Sequence, residues 1–191
     1  MTGAKRTHSP PKAMVAVIAL VVSIICYPAK LRAQYDVWQA ARSGNVEAIT
    51  GCFEPFGKWP RSAIDTLNPA GHAALTLAVY HAQTEAVETL LALGANPNMA
   101  GPDGTPLMAA AIKGHVDIAR MLLSNNADPN VTDSRATTAL MLASMAQHEE
   151  MVRLLLENGA DKFLRDANGN SALDYALKNQ NSVLIILLSE P

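Results

Sequence analysis

The chain has 191 residues, 49% of them apolar and 17% charged, with 15 Lys and Arg against 17 Asp and Glu and a formal net charge of −2. No polybasic stripe stands out, which excludes nucleic acid as a partner, and two cysteines are too few for a disulfide framework. The length suits a single domain with its own core.

Residues 1–12 are polar and carry Lys5, Arg6 and Lys12 without an acid; Ala13 to Ile25 is then apolar apart from Ser23. That run of 13 residues falls short of the ~20 that span a bilayer. Pro28 breaks it, and Leu31-Arg32-Ala33 offers a small residue for cleavage before Gln34. The pattern is a secretory signal peptide over residues 1–33, with an uncleaved membrane anchor as the alternative. A lipid anchor at Cys26 is disfavoured, because Ile25 stands where lipoprotein signals carry a small residue. Removal of residues 1–33 takes five of the 15 basic residues and none of the 17 acids, leaving 10 minus 17, a formal charge of −7. Cys52 is then the sole cysteine. It reads as a small buried apolar residue rather than a redox thiol.

Residues 34–191 repeat themselves. Leu75, Leu107, Leu140 and Leu173 recur at steps of 32, 33 and 33 residues, and the pairs Leu90-Leu91, Leu122-Leu123 and Leu155-Leu156 keep the same step. The first unit, 34–67, places Val37, Ala40 and Ala41 where a later unit has Leu107, Ala110 and Ala111, and Gly44-Asn45 where it has Gly114-His115. It is stretched: Val37 to Leu75 is 75 minus 37, or 38 residues, with the surplus around Gly51 to Arg61. Phe53, Phe56 and Trp59 fall there. They either close the open end of a stack or protrude as an aromatic anchor for a partner.

Units 68–99, 100–131 and 132–164 follow. In the clearest, Thr105 can cap a helix and Pro106 suits its first turn. Leu107, Ala110 and Ala111 form an apolar stripe, Gly114 stops the helix, and a second helix runs from about Val116 to Ser124. The closing turns Gly94-Ala95-Asn96-Pro97-Asn98, Asn126-Ala127-Asp128-Pro129-Asn130 and Gly159-Ala160-Asp161 put Gly or Asn where a helix ends left-handed. Asp128, Asp133, Asp161 and Asp166 read as Asx-type turn formers. The last unit, 165–191, ends in the apolar run Leu184 to Leu188. Helices this short cannot bury their apolar faces alone, so the units must stack.

A period near 33 with Thr105-Pro106-Leu107 opening the first helix resembles the ankyrin repeat. The resemblance implies a mainly α fold: a solenoid of helix-turn-helix units joined by β-hairpin-like loops, with residues 34–67 and 165–191 as capping repeats. The match departs from the family at the helix start, where Ala73-Ala74, Thr138-Ala139 and Ser171-Ala172 replace Thr-Pro. Thr76, Met108, Met141 and Asp174 replace the family's His after Leu, so a less stable array than an idealised one is expected. The resemblance also implies a concave face lined by the first helices and loop tips. By register, that face carries Arg42, Tyr80, His81, Ile112, Lys113 and Met145 at the helix ends, with His72 and Thr137 just before the helices. Tyr80, Ile112 and Met145 would form an apolar ridge flanked by Arg42, His81 and Lys113, unless Ile112 and Met145 belong partly to the core. Trp59 in the insertion is the rival anchor.

Nothing in the sequence carries chemistry. It has no Gly-x-Ser-x-Gly elbow, phosphate-cradling glycine loop, His-Glu-x-x-His or Cys-x-x-Cys, and its histidines lack metal-ligand spacing. The expectation is a non-catalytic module without metal or cofactor, a monomer that binds a protein partner and keeps no membrane anchor after signal cleavage. A signal peptide followed by ankyrin-like units is similar to small exported ankyrin proteins of Gram-negative bacteria. That resemblance implies the periplasm, with secretion or anchoring through an uncleaved signal as alternatives. It admits a scaffold, a protector under stress, or an immunity protein that blocks an exported toxin; a stabilising subunit of an exported enzyme is the competing class. Mass spectrometry of the exported protein should find a chain beginning at Gln34; a chain retaining Met1 in the membrane fraction would refute the cleavage site.

Overall fold

Three of the units carry a first helix whose first turn is capped by its own Thr or Ser. The Thr105 hydroxyl accepts from the Met108 N–H at 3.3 Å, Pro106 occupies the first turn, and Gly114 ends the helix at φ 72°. Thr138 caps Met141 at 3.3 Å in the same way. In the last unit Ser171 and Asp174 form a reciprocal capping box, with the Ser171 N–H donating to Asp174 Oδ2 at 2.8 Å. Ala73 supplies no such cap.

The computed structural model describes residues 37–52 and 63–190; the leader and the aromatic insertion lie outside them. The described residues form five helix pairs: α1 (37–43) with α2 (Val46–Gly51), α3 (Ala74–Tyr80) with α4 (Thr84–Ala92), α5 (Pro106–Lys113) with α6 (Val116–Ser124), α7 (Ala139–Met145) with α8 (Glu149–Glu157), and α9 (Ala172–Lys178) with α10 (Ser182–Ser189). The first helices α3, α5, α7 and α9 pack on one another in order, and α2, α4, α6, α8 and α10 form a second layer. The loops expected to be hairpin-like hold no strand among the described residues, only an isolated antiparallel bridge between Gly101 and Gly104.

That bridge has a sequence cause. Asn68, Asp133 and Asp166 each open a loop and accept two backbone N–H groups through Oδ1: Ala70 and His72, Arg135 and Thr137, Asn168 and Asn170. Ala100 stands in that place in the remaining loop and has no acceptor. There Gly101 and Gly104 exchange backbone bonds at 2.9 and 3.1 Å instead.

The core is a column of equivalent residues. Leu75, Leu107 and Leu140 are 1% exposed, and Leu90, Leu122 and Leu155 are fully buried. Three positions after each first-helix Leu or Val stands an alanine: Ala40, Ala78, Ala110, Ala143 and Ala176, none more than 4% exposed. Only a side chain this small lets neighbouring helices approach closely. Asp65, Asn98 and Asn130 tie successive units together, accepting through Oδ1 from the N–H groups of Asn96, Asp128 and Asp161 at 2.8, 2.8 and 2.7 Å. Asn98 and Asn130 donate back to the carbonyls of Asn126 and Gly159, each at 3.0 Å. At the end of unit 132–164 Phe163 stands at that rung and is 78% exposed. The apolar end helix α10 buries Leu184 and Leu188 but leaves Ile186 60% exposed.

Leu122→Ala should cost ~2–5 kcal/mol through the cavity it opens between stacked units; urea melts with the wild-type midpoint would refute the register. A second expectation concerns acid. The Tyr175 hydroxyl, 2.5 Å from Asp166 Oδ2, and then the Asn170 N–H hold the Asp166 carboxyl down at about 2, against an ordinary 3.8. A depressed carboxyl stabilises the fold above its unfolded value and loses that contribution as pH falls through its folded value. Thermal melts should therefore show a loss between about pH 3.8 and 2 that Asp166→Asn removes; an unchanged pH profile in the variant would contradict this.

Candidate protein-binding surface

Because the units keep one register, the C-terminal ends of the first helices stand side by side. Arg42 lies near the end of α1, Tyr80 ends α3, Ile112 and Lys113 end α5, and Met145 ends α7. Tyr80, Ile112 and Met145 are 48%, 44% and 42% exposed, so they form a ridge at the surface rather than part of the core. Their backbones are held by the next unit. Gln83 Nε2 donates to the Arg42 carbonyl at 3.4 Å, His148 Nε2 lies 3.3 Å from the Ile112 carbonyl, and Asn179 Nδ2 donates to the Met145 carbonyl at 3.0 Å. His115 bonds the Tyr80 backbone. Partial burial, then the charges of Lys113 and His148, hold the His115 imidazole below its ordinary value. The His148 ring is seated on Gly114, where any Cβ would come within 2.9 Å of it.

Five of the residues singled out by register line one groove of about 410 Å³: Arg42, His72, Tyr80, His81 and Ile112. Lys113 joins them through Tyr80, its Nζ 4.1 Å from the ring centroid, a cation–π contact that orders both side chains. The His81 ring meets Tyr80 edge-on, with centroids 5.5 Å apart. Met145 does not line this groove, although Leu142 of its own helix does. Thr137 is placed differently from its expected surface position. It is 5% exposed, its N–H is bonded to Asp133 Oδ1 at 2.8 Å, and its hydroxyl also bonds Asp133, so the loop engages it. Trp59, with Phe53 and Phe56, lies outside the described residues.

Sequence reasoning missed the floor. Leu77, Ala109 and Leu142, each two residues after the repeating Leu, line the groove at 8%, 6% and 8% exposure. Their hydrophobicity places them in the core, and only their shared offset marks them as a separate row. Ala109 between two leucines leaves a hollow in that row. The loops also contribute Asp103, Asp133 and Arg135.

Both of these acids are engaged. Asp103 Oδ2 lies 3.7 Å from His72 Nε2, and Asp133 Oδ2 lies 3.4 Å from the Arg135 guanidinium. Burial pushes the Asp133 carboxyl up, but bonds from the Thr137 and Arg135 N–H groups outweigh it and hold the group below the usual range. Among the described residues neither Arg42 nor Lys113 has a carboxylate at ion-pair distance. Thr76 is 5% exposed, its Oγ1 lacks a hydrogen-bond partner among the described residues, and Thr76 lines the same groove. An unpaired buried hydroxyl costs about 1–3 kcal/mol. The arrangement combines an apolar hollow, a cationic edge and a partnerless hydroxyl.

The comparisons with known proteins agree with this architecture. A family model described as "Ankyrin repeats (3 copies)" matches residues 37–133 and again 125–191. Protein phosphatase 1 regulatory subunit 27 of mouse is 39% identical over 82 residues, 41% of this chain and 53% of that protein. Its human counterpart is 37% identical over 87 residues, 44% of this chain and 56% of that protein. An ankyrin repeat and KH domain-containing protein of Caenorhabditis briggsae is 40% identical over 67 residues, 35% of this chain and 2% of that protein. The match thus spans about half the length of the two regulatory subunits and a small fraction of the KH protein. With the family pattern matched from residue 37 to 191 and the paired helices stacked in register, the chain belongs to the ankyrin repeat family.

Proposed function

We propose that the protein is a non-catalytic interaction module that binds a protein partner through the face formed by its first helices. The observation that carries this reading is the exposed ridge of Tyr80, Ile112 and Met145 beside a groove lined by residues from successive units. Exposed aromatic and aliphatic side chains held on a rigid backbone are what binding surfaces use as anchors. No convergent nucleophile, base or metal set is legible in the sequence, which argues for binding over catalysis.

The matched relatives include regulatory subunits of a phosphatase. That favours a partner that is itself an enzyme, which this chain would inhibit or stabilise. We place the action outside the cytoplasm, in the periplasm, on the strength of Lys5, Arg6 and Lys12 before the apolar run Ala13 to Ile25 and the small residue at Ala33.

The test uses the protein as bait in a periplasmic extract, then measures affinity for the captured partner. Tyr80→Ala should weaken the complex by roughly 2 kcal/mol or more, and Lys113→Ala should act mainly on association rate and salt dependence. Each variant is checked by circular dichroism. Unchanged binding by Tyr80→Ala with lost binding by Trp59→Ala would move the site to the insertion.

A further inference from the structure

The groove is more selective than a generic contact surface, and three of its features point in one direction. The first is shape. Leu77 and Leu142 flank Ala109 in the floor row, so the hollow lies between two filled positions, with Tyr80 and Ile112 above it. A side chain of aliphatic size fits that space, since it would supply the volume that leucine supplies in the neighbouring units. The second is charge. Three Lys and Arg side chains, Arg42, Lys113 and Arg135, stand at or beside the groove together with His72 and His81, against two acids, of which Asp133 is paired with Arg135 and Asp103 lies 3.7 Å from His72. This is the reverse of the chain's overall balance, since residues 34–191 carry ten basic side chains against 17 acids. The third is the Thr76 hydroxyl, buried beside the groove without a partner among the described residues.

We infer that the groove recognises an acidic, extended segment of a partner protein, with an aliphatic side chain seated over Ala109 and carboxylates meeting Arg42 and Lys113. Arg42 stands in the first unit, and Lys113, four residues after Ala109 on α5, carries its Nζ over the Tyr80 ring of the second unit. The recognised pattern is therefore an aliphatic residue with acids near it in the same short segment. Carboxylates at the edge also speed encounter and disfavour basic competitors. The assignment rests on the first-helix face being the binding surface.

Selection of phage-displayed random peptides on the full chain tests it. Peptides that combine Asp or Glu with Leu, Ile, Met or Val should be enriched, and their binding should fall as salt rises. Arg42→Glu combined with Lys113→Glu should reduce the affinity of a synthetic selected peptide by on the order of tenfold or more. Ala109→Leu, which copies the residue already present at 77 and 142, should abolish binding with the helical spectrum and melting midpoint kept. Selected peptides that are basic or uncharged, yet lost with Ala109→Leu, would overturn the acidic specificity and leave the surface standing. Peptides indifferent to both Tyr80→Ala and Ala109→Leu would overturn the surface itself. A selection that enriches nothing would overturn the inference as well.

Discussion

How closely consecutive first helices approach decides most of what this molecule can do. Ala40, Ala78, Ala110, Ala143 and Ala176 set that approach, since each stands at the same register and is almost wholly buried. A larger side chain at any of them would wedge two units apart, and overpacking of that kind costs about 1–3 kcal/mol. The damage would not stay local. The bonds from Asn98 to Asn126 and from Asn130 to Gly159 span the same gap between units, and so do the bonds that hold the carbonyls of Arg42, Ile112 and Met145. The spacing of the ridge residues is thus inherited from the alanines beneath them.

Packing and surface occupy different offsets of the same seven- or eight-residue helix. The repeating Leu and the Ala three residues on face the stack, and in the second and third units the residues two and five after that Leu line the groove. Charge is sorted similarly. Asp133, Asp161 and Asp166 are committed to backbone N–H groups in the turns, whereas Arg42 and Lys113 at the helix ends keep their charge available. One local cost runs through the design. Ala82, Gln147 and Gln180 adopt φ of 55°, 61° and 55° between paired helices, where the first and third units use Gly44 and Gly114. Side chains there are strained relative to glycine.

Much of this was legible before any coordinates. The period, the boundaries of α6, the Thr105 cap, the left-handed ends at Gly94, Asn126 and Gly159 and the turn role of the aspartates follow from residue types whose local preferences are strong. The ridge was legible too, because helical register predicts which residues face outward. The groove floor was not, since Leu77, Ala109 and Leu142 look like core by hydrophobicity and differ from it only in direction. Thr137 shows the opposite failure. Register placed it near the surface, but its loop opens on Asp133, whose carboxylate captures both its N–H and its hydroxyl. The links between units were hidden for a further reason: a donor and acceptor about 30 residues apart leave no local pattern.

The rungs formed by Asp65, Asn98 and Asn130 have a direction. In each, a side chain from the earlier unit reaches the backbone of the later one. During synthesis the earlier unit emerges first, so its carboxylate or carboxamide is in position when the next turn leaves the ribosome. The arriving turn need present only main-chain groups, whatever side chains it bears. Growth from the N-terminus thus adds each unit to a prepared edge, and a part-made chain leaves one open rung at its leading end instead of a row of competing ones.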